Sequence, residues 1–304
     1  MEKNDSSSTS RNLEGEIHNL FVDCCFRDIQ RSTMSSNVAD TSSAFELTEE
    51  ERGWAMMIKK TLMEADEGFA KQISDLEYAQ NAIVAKEKVS LGIKRIRRLK
   101  AFREEYGIPN NVSLQEAKDI LRKFDDLCPG FFLGFGTTEK GQKVATCDYK
   151  AFLPAKFQTQ EDWRVLFVGL YFWLEATQSD LVAIRQGMVW ICDCKGLGWK
   201  NFSLEAEKKA AHLYQDAYPV RIRDMTLLNS SPLLKVLYTL CKPFLSKRIK
   251  ELFHMDGNLT DVQQRYKRDV LPTTMGGTQS QLDMAEKLIE SLEARFECKA
   301  AFRL

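Results

Sequence analysis

The chain is predicted to be an α/β protein with a mostly parallel sheet, preceded by a helical N-terminal domain. Three observations predict it. From Pro129 onward, short apolar runs alternate with helix-like stretches, the pattern of strands joined by helical crossovers. Upstream of that point, apolar residues recur at helical spacing behind recognisable helix starts. The whole chain of 304 residues, 44% hydrophobic and 28% charged, has a globular composition and is long enough to bury a core without staples.

Residues 1–45 carry nine serines and little periodic apolar pattern beyond Ile17 to Phe26, and read as a disordered arm. Cys24 and Cys25, beside Phe21 and Val22, are candidates for S-acylation there. A helical domain is expected over 46–128. Thr48 and Glu51 form a capping box ahead of Trp54, Met57, Ile58 and Leu62, Gly107-Ile-Pro ends a helix, and Ser113 and Glu116 open the next. Strands are expected at Phe131 to Phe135, Lys143 to Cys147, Met188 to Cys194 and Met225 to Leu228, with a fifth at Ile249 to His254. Thr159, Ser203 and Ser231 stand at N-cap positions between them. The α/β domain is placed at 129–278, and an amphipathic helix at 279–304 carries Leu282, Ala285, Leu288, Ile289 and Leu292 on one face.

The 43 basic and 43 acidic residues cancel, so no global field draws the chain to nucleic acid or to an anionic membrane. Lys86 to Arg103 holds eight basic residues and one acidic one, read as a solvated helix face. The opening Met-Glu-Lys-Asn-Asp-Ser is not a secretory leader and no uncharged run is long enough for a membrane span, so a cytoplasmic protein with reduced cysteines is expected. The eight cysteines include no C-x-x-C pair, and no metal or cofactor is expected; Cys192 and Cys194 share a strand face without further ligands nearby. Gly136 to Gly141 fails the phosphate-loop pattern because Gln142 replaces the lysine, and reads as a hairpin turn. Only three histidines exist, and no nucleophile elbow or zinc-protease pair occurs, so the expectation is a protein that is not an enzyme.

Pro232 to Leu245 reads as a helix whose polar residues Lys235, Thr239 and Lys242 form one narrow stripe, so the rest must be buried or face lipid. Val165 to Leu174 is likewise free of charge. On periodicity alone both are core helices.

Tyr218-Pro-Val-Arg-Ile-Arg, Leu228-Asn229 with Pro232, Lys242-Pro-Phe-Leu, Ile249 to His254, and Leu271-Pro with Gly276-Gly277 together resemble the signature of the CRAL-TRIO lipid-binding family. Met188 to Leu197, an apolar run ending in Asp-x-x-Gly, is similar to its central strand. The resemblance departs at Thr274 and Met275, where the family has Glu and an aromatic, and in the N-terminal helices, where an Arg-rich stretch is absent. It implies one hydrophobic lipid enclosed between a sheet floor, helical walls and a mobile gate helix at Pro232 to Leu245. By that similarity the pocket is lined by Val165, Leu166, Gly169, Leu170, Met188, Trp190, Cys192, Leu213, Tyr218, Val220, Met225, Cys241 and Leu245.

Val220 stands where the phosphatidylinositol-exchange branch has Glu, and Tyr-Pro-Val-Arg-Ile-Arg looks more like the tocopherol-transfer and retinaldehyde-binding branch. That branch implies phosphoinositide contacts from Arg221, Arg223, Arg248 and Lys250, with Leu252 replacing a further basic position. Asp224 and Glu251 are the neighbours that would neutralise such a patch. The functions implied are a monomeric carrier exchanging a tocopherol-like, retinoid-like or other apolar lipid at phosphoinositide-containing membranes, or a lipid-sensing recruitment module without transfer activity.

Overall fold

The computed structural model describes residues 46–304, so the serine-rich stretch with Cys24 and Cys25 lies outside the described residues. Helix α1 (Glu49–Ala65) begins at the capping box, with Thr48 Oγ1 accepting from the Glu51 amide at 3.2 Å and the Glu51 carboxylate accepting from the Thr48 amide at 3.1 Å. A short α2 (Glu67–Ala70) leads to α3 (Asp75–Ala85) and α4 (Val89–Glu105). Ala55, Ile58 and Leu62 of α1 pack with Leu76, Ala79 and Ile83 of α3 and Ile96 of α4 in one core. Gly107, at φ +61°, closes the region after α4 in a conformation that side chains with a Cβ avoid, and Ser113 caps α5 (Leu114–Leu127).

Five strands follow in sheet order β1-β2-β3-β4-β5. β1 (Phe132–Thr137) and β2 (Lys143–Asp148) form an antiparallel hairpin across the Gly136 to Gly141 turn. Two helices, α6 (Gln160–Thr177) and α7 (Leu181–Gln186), then carry the chain to β3 (Met188–Asp193), parallel to β2. The chain continues through α8 (Leu204–His212) to β4 (Ile222–Leu228). It then runs through α9 (Pro232–Cys241) and α10 (Lys247–Leu252) to β5 (Phe253–Gly257), with both later strands parallel. Helix α11 (Leu259–Arg265) and two turns precede the last helix, α12 (Gln281–Ala301).

Register sets what each sheet face offers. Cys147 lies beside Cys192 and Cys192 beside Leu227, while Ala145, Trp190 and Met225 form the next row. Side chains alternate along a strand, so these six share the face beneath α6, α8 and α9. The other face presents Val144, Val189, Ile191 and Leu228 to Val262, Val270, Leu271 and Met275.

Two expected boundaries move. The fifth strand, expected at Ile249 to His254, begins at Phe253, because Lys247–Leu252 is helical, capped by Ser246 accepting from the Ile249 amide at 3.3 Å. The expected gate helix ends at Cys241, since Pro243 lacks the amide a further turn needs, and Lys242–Phe244 is a 3₁₀ turn. Its surface is not wholly covered: Val236 is 49% and Leu240 43% exposed.

Helix α12 ties the ends of the molecule together. Gly134 of β1, at φ +84°, lets the α12 backbone lie against the strand, because a Cβ there would strike the Met284 carbonyl. Arg295 is 1% exposed and donates to Glu175 at 2.6 Å, to the Gln178 carbonyl at 3.2 Å and to Gln80 at 2.5 Å. A second buried pair joins Arg103 to Glu77 at 2.6 Å, and Arg103 also donates to the Tyr171 hydroxyl at 2.7 Å.

The Glu77 pair makes stability pH-dependent. Burial pushes the Glu77 carboxyl up, but Arg103, Lys299 and the Ser74 cap outweigh it and hold it down at about 2, below its ordinary 4.5. A depressed acid stabilises the fold fully above its unfolded value and stops doing so as pH falls through the folded value, a contribution on the order of 3 kcal/mol. Unfolding free energy of the native chain is expected to drop between pH 4.5 and 2. Glu77→Gln should be less stable at pH 7 and show a flatter profile across that window, measured by denaturant titration.

Candidate functional site

Between the sheet and α6, α8 and α9 lies a cavity of about 140 Å³. That volume is below the roughly 300–1,000 Å³ usual for pockets that take a drug-sized ligand. Its floor is Trp190, Cys192, Met225 and Leu227, with Cys194 and Leu197 just beyond β3. Leu166, Phe167 and Leu170 of α6 form one wall, and Ala206, Glu207, Ala210 and Tyr214 another. Leu234, Leu237, Tyr238 and Cys241 of α9, with Phe244 and Leu245 after it, close the top. Phe131, Phe132, Tyr149 and Phe152 fill the remaining end, packed ring against ring at 4.8–6.3 Å.

Seven of the residues expected to line a pocket come together on this wall: Leu166, Leu170, Trp190, Cys192, Met225, Cys241 and Leu245. The other six are core residues elsewhere. Gly169 faces α5, where a Cβ would meet the Phe124 ring at 2.9 Å. Val165 is on the same helix but off the cavity, and Met188 lies at the opposite end of β3, paired with Ile222. Leu213 and Val220 are packed core, and Tyr218 sits edge-on to Tyr171 at 5.9 Å, among the polar groups of the Arg295 network. Helical phase explains the misses: Leu166 and Leu170 are four apart and share a face that Val165 and Gly169 do not.

The wall is chemically quiet except at one point. Burial pushes the Cys194 and Cys241 thiols up, Cys241 to about 12, and raises Cys192 well above its ordinary value, so none is a ready nucleophile. The exception is Glu207 on α8. Burial pushes its carboxyl up to about 7, and it accepts a hydrogen bond from the Tyr149 hydroxyl. Sequence reading passed over it because Glu205-Ala-Glu-Lys-Lys looks like any solvated helix. The phase relative to Ala206 and Ala210, both on the wall, was the available signal.

The cap of the cavity is tied down at its far end. Gln215, in the π-helical turn Leu213–Ala217 after α8, accepts from the Ser246 amide at 2.7 Å and donates to the Phe244 carbonyl at 3.4 Å. Three residues beyond Leu245, α10 brings Arg248 to a basic cluster. Arg223 donates to the Gln186 and Arg185 carbonyls at 3.0 Å each, and Arg221 to the Arg185 carbonyl at 3.2 Å and to the Ile83 carbonyl. Both guanidinium groups thus reach the end of α7. Burial together with Arg223, Arg248 and Arg185 pulls the Arg221 value down. Arg95 of α4 joins them, with its Nε and Nη1 buried and without hydrogen-bond partners. Among the described residues, no hydrogen bond or ion pair ties Lys250 to this cluster.

The neutralising neighbours expected from sequence are engaged elsewhere. Asp224 pairs with Arg265 at 2.5 Å and lies 3.3 Å from His254, and Glu251 is 3.9 Å from Lys247. The acids near the cluster are Glu51, paired with Arg185 at 2.7 Å, and Asp216, which acts on Arg95 and pairs with Arg98 at 2.9 Å. Among the described residues no group of His, Cys, Asp or Glu could hold a metal, and no helix is long and apolar enough to cross a membrane.

A parallel sheet roofed by helices over an apolar cavity is the architecture of a binding domain for apolar ligands. Residues 129–277 match the CRAL/TRIO domain, and that part of the chain is a member of the family. It is 25% identical over 181 residues to alpha-tocopherol transfer protein-like of Homo sapiens, covering 58% of this chain and 50% of that one. It is 33% identical over 120 residues to clavesin-1 of Xenopus laevis, covering 36% of this chain and 35% of that protein. The chain therefore spans about half the length, or less, of these curated relatives. A crystal structure of Sfh5 superposes with a TM-score of 0.53 at 16% identity, covering 79% of this chain and 92% of that one, which establishes the shared fold.

Cavity and core respond oppositely to added volume. Cys241→Trp should fill the cavity and abolish uptake of a fluorescent apolar lipid while melting near the native temperature. Gly169→Val should overpack against Phe124 and lose roughly 1–3 kcal/mol, since no void receives it. Undiminished uptake by a folded Cys241→Trp variant would remove this side chain from the site.

Proposed function

We propose that this chain is a carrier that holds one hydrophobic lipid, tocopherol-like, retinoid-like or of similar apolar character, and exchanges it at phosphoinositide-containing membranes. The observation that carries the reading is the apolar cavity capped by α9, in a family of lipid-binding and transfer proteins. Moving about a dozen methylenes out of a bilayer costs on the order of 10 kcal/mol at ~0.8 kcal/mol each, so the recipient site must be as dry as the bilayer. A wall made of aromatic, aliphatic and sulfur side chains meets that need.

In this reading residues 129–278 form the lipid domain, 46–128 and 279–304 brace it, and the protein works as a cytoplasmic monomer that touches membranes transiently. It does no chemistry on its cargo. The cluster of Arg95, Arg221, Arg223 and Arg248 is the docking patch, and each charge near an anionic leaflet contributes about 1 kcal/mol, enough for reversible contact. Arg221, bonded to the Ile83 and Arg185 carbonyls, also braces α3 against α7, and Arg223 is bonded to the Gln186 and Arg185 carbonyls, which leaves Arg248, with one 3.5 Å bond to the Ile222 carbonyl, as the freest phosphate ligand. Since Arg248 follows Leu245 by three residues, docking would pull on the segment that closes the cavity. Lys250 plays a lesser part.

A second reading has one observation behind it. The match to tyrosine-protein phosphatase non-receptor type 9 of Homo sapiens covers 37% of this chain but 19% of that protein, so the domain also occurs within larger proteins. A recruitment module would bind lipid without delivering it. The deciding experiment follows lipid transfer between donor and acceptor vesicles, with and without phosphoinositide in the acceptor, across a salt series. Native transfer is expected to quicken with phosphoinositide and slow with salt. Arg223→Glu with Arg248→Glu should lose both dependences while retaining bound lipid. Lipid binding with no transfer under any condition would favour the module, and equal transfer by both proteins at low salt would remove the patch.

A further inference from the structure

We propose that Glu207, braced by Tyr149, is a head-group subsite inside the cavity, and that it selects a lipid alcohol whose hydroxyl donates to this carboxyl group. The proposal rests on the carrier reading and states which polar chemistry the cargo brings with it.

Glu207 is the one charged side chain on the cavity wall among the described residues. A carboxyl group in an apolar wall is costly unless its oxygens find donors, and a carboxylate has about four acceptor positions. The Tyr149 hydroxyl supplies one donor. Among the described residues no cation pairs with Glu207: the groups that sense its charge are Tyr214 and Cys241, both kept neutral by burial. The neighbouring Lys209 is paired with Glu205 at 3.5 Å, its ammonium over the Phe167 ring at 5.6 Å. Glu207 is therefore left with acceptor capacity directed at the space the lipid would occupy.

The surroundings narrow the class of head group. A carboxylate or phosphate head would be repelled by Glu207, with no cation beside it to compensate. An ammonium head would bring a second ion out of water, and the two desolvation costs must be met by one contact. A hydroxyl keeps the cargo neutral and completes the carboxyl. It can donate to Glu207 in either protonation state, which suits a group that burial pushes up to about 7. An ether or ester of the same skeleton lacks the donor and would leave a buried acceptor unmet.

The test displaces a fluorescent apolar probe from the full chain with three matched ligands: a long-chain alcohol, its methyl ether and the fatty acid of equal length. The native chain should bind the alcohol roughly tenfold or more tighter than the ether, as expected for a hydrogen bond to a charged group, and bind the acid weakest. Glu207→Leu should bind the ether at least as well as the native chain does and distinguish alcohol from ether by less than about twofold, which a merely structural Glu207 to Tyr149 link would not produce. Glu207→Gln keeps a carbonyl acceptor and should retain a reduced preference. Equal displacement of the probe by alcohol and ether on the native chain overturns the subsite yet leaves carriage standing, as does tightest binding of the acid. If the native chain takes up neither the probe nor any of the three ligands, the carrier reading itself fails.

Discussion

The architecture depends on one buried ionic junction. Arg295 of the last helix meets Glu175 at the end of α6 and Gln80 of α3, and Arg103 meets Glu77 and Tyr171 nearby. Four elements far apart in sequence are fixed at this point, and Gln80 extends it to the Pro219 carbonyl just ahead of β4. Deleting one member of such a pair leaves an uncompensated charge and typically costs about 3–5 kcal/mol, whereas the intact pair adds little net stability. Its contribution is position: it holds the helical domain and the terminal helix against one side of α6, so the other side of α6 is free to wall a cavity.

The cavity itself follows from side-chain size. Cys192 keeps the floor low, and Ala206 and Ala210 keep the α8 wall back, while the rings of Phe131, Phe132, Tyr149 and Phe152 prop one end. Interiors normally pack to the density of organic crystals, so a void of this volume lined by apolar groups forgoes dispersion contacts that an apolar ligand would restore. The cap is the least buried part. Val236 and Leu240 face outward from α9, and one glutamine, Gln215, fastens its end.

Much of this was legible in the sequence. Capping boxes at Thr48, Ser113 and Ser280 mark helix starts to the residue, because each records a local side-chain bond. The alternation of strands with helices and the apolar face of β3 followed from periodicity, and the family motifs implied a helix over the sheet. What the sequence withheld was tertiary. Ser246 turned the front of the expected fifth strand into a helix, and the phase of α6 decided that Leu166 faces the cavity and Gly169 faces Phe124. Arg95 and Glu207 were hidden in ordinary charge runs, since only packing shows which charge in such a run is turned inward.

Charge placement and cavity placement together put the arginine cluster at one end of the capping segment and the apolar cavity beneath it. The measurement that bears most directly on lipid carriage is native mass spectrometry of the purified chain before and after delipidation. One co-purifying lipid per chain is expected, lost on delipidation and regained from liposomes at the same stoichiometry. A chain that is empty as purified and takes up nothing from liposomes would contradict it.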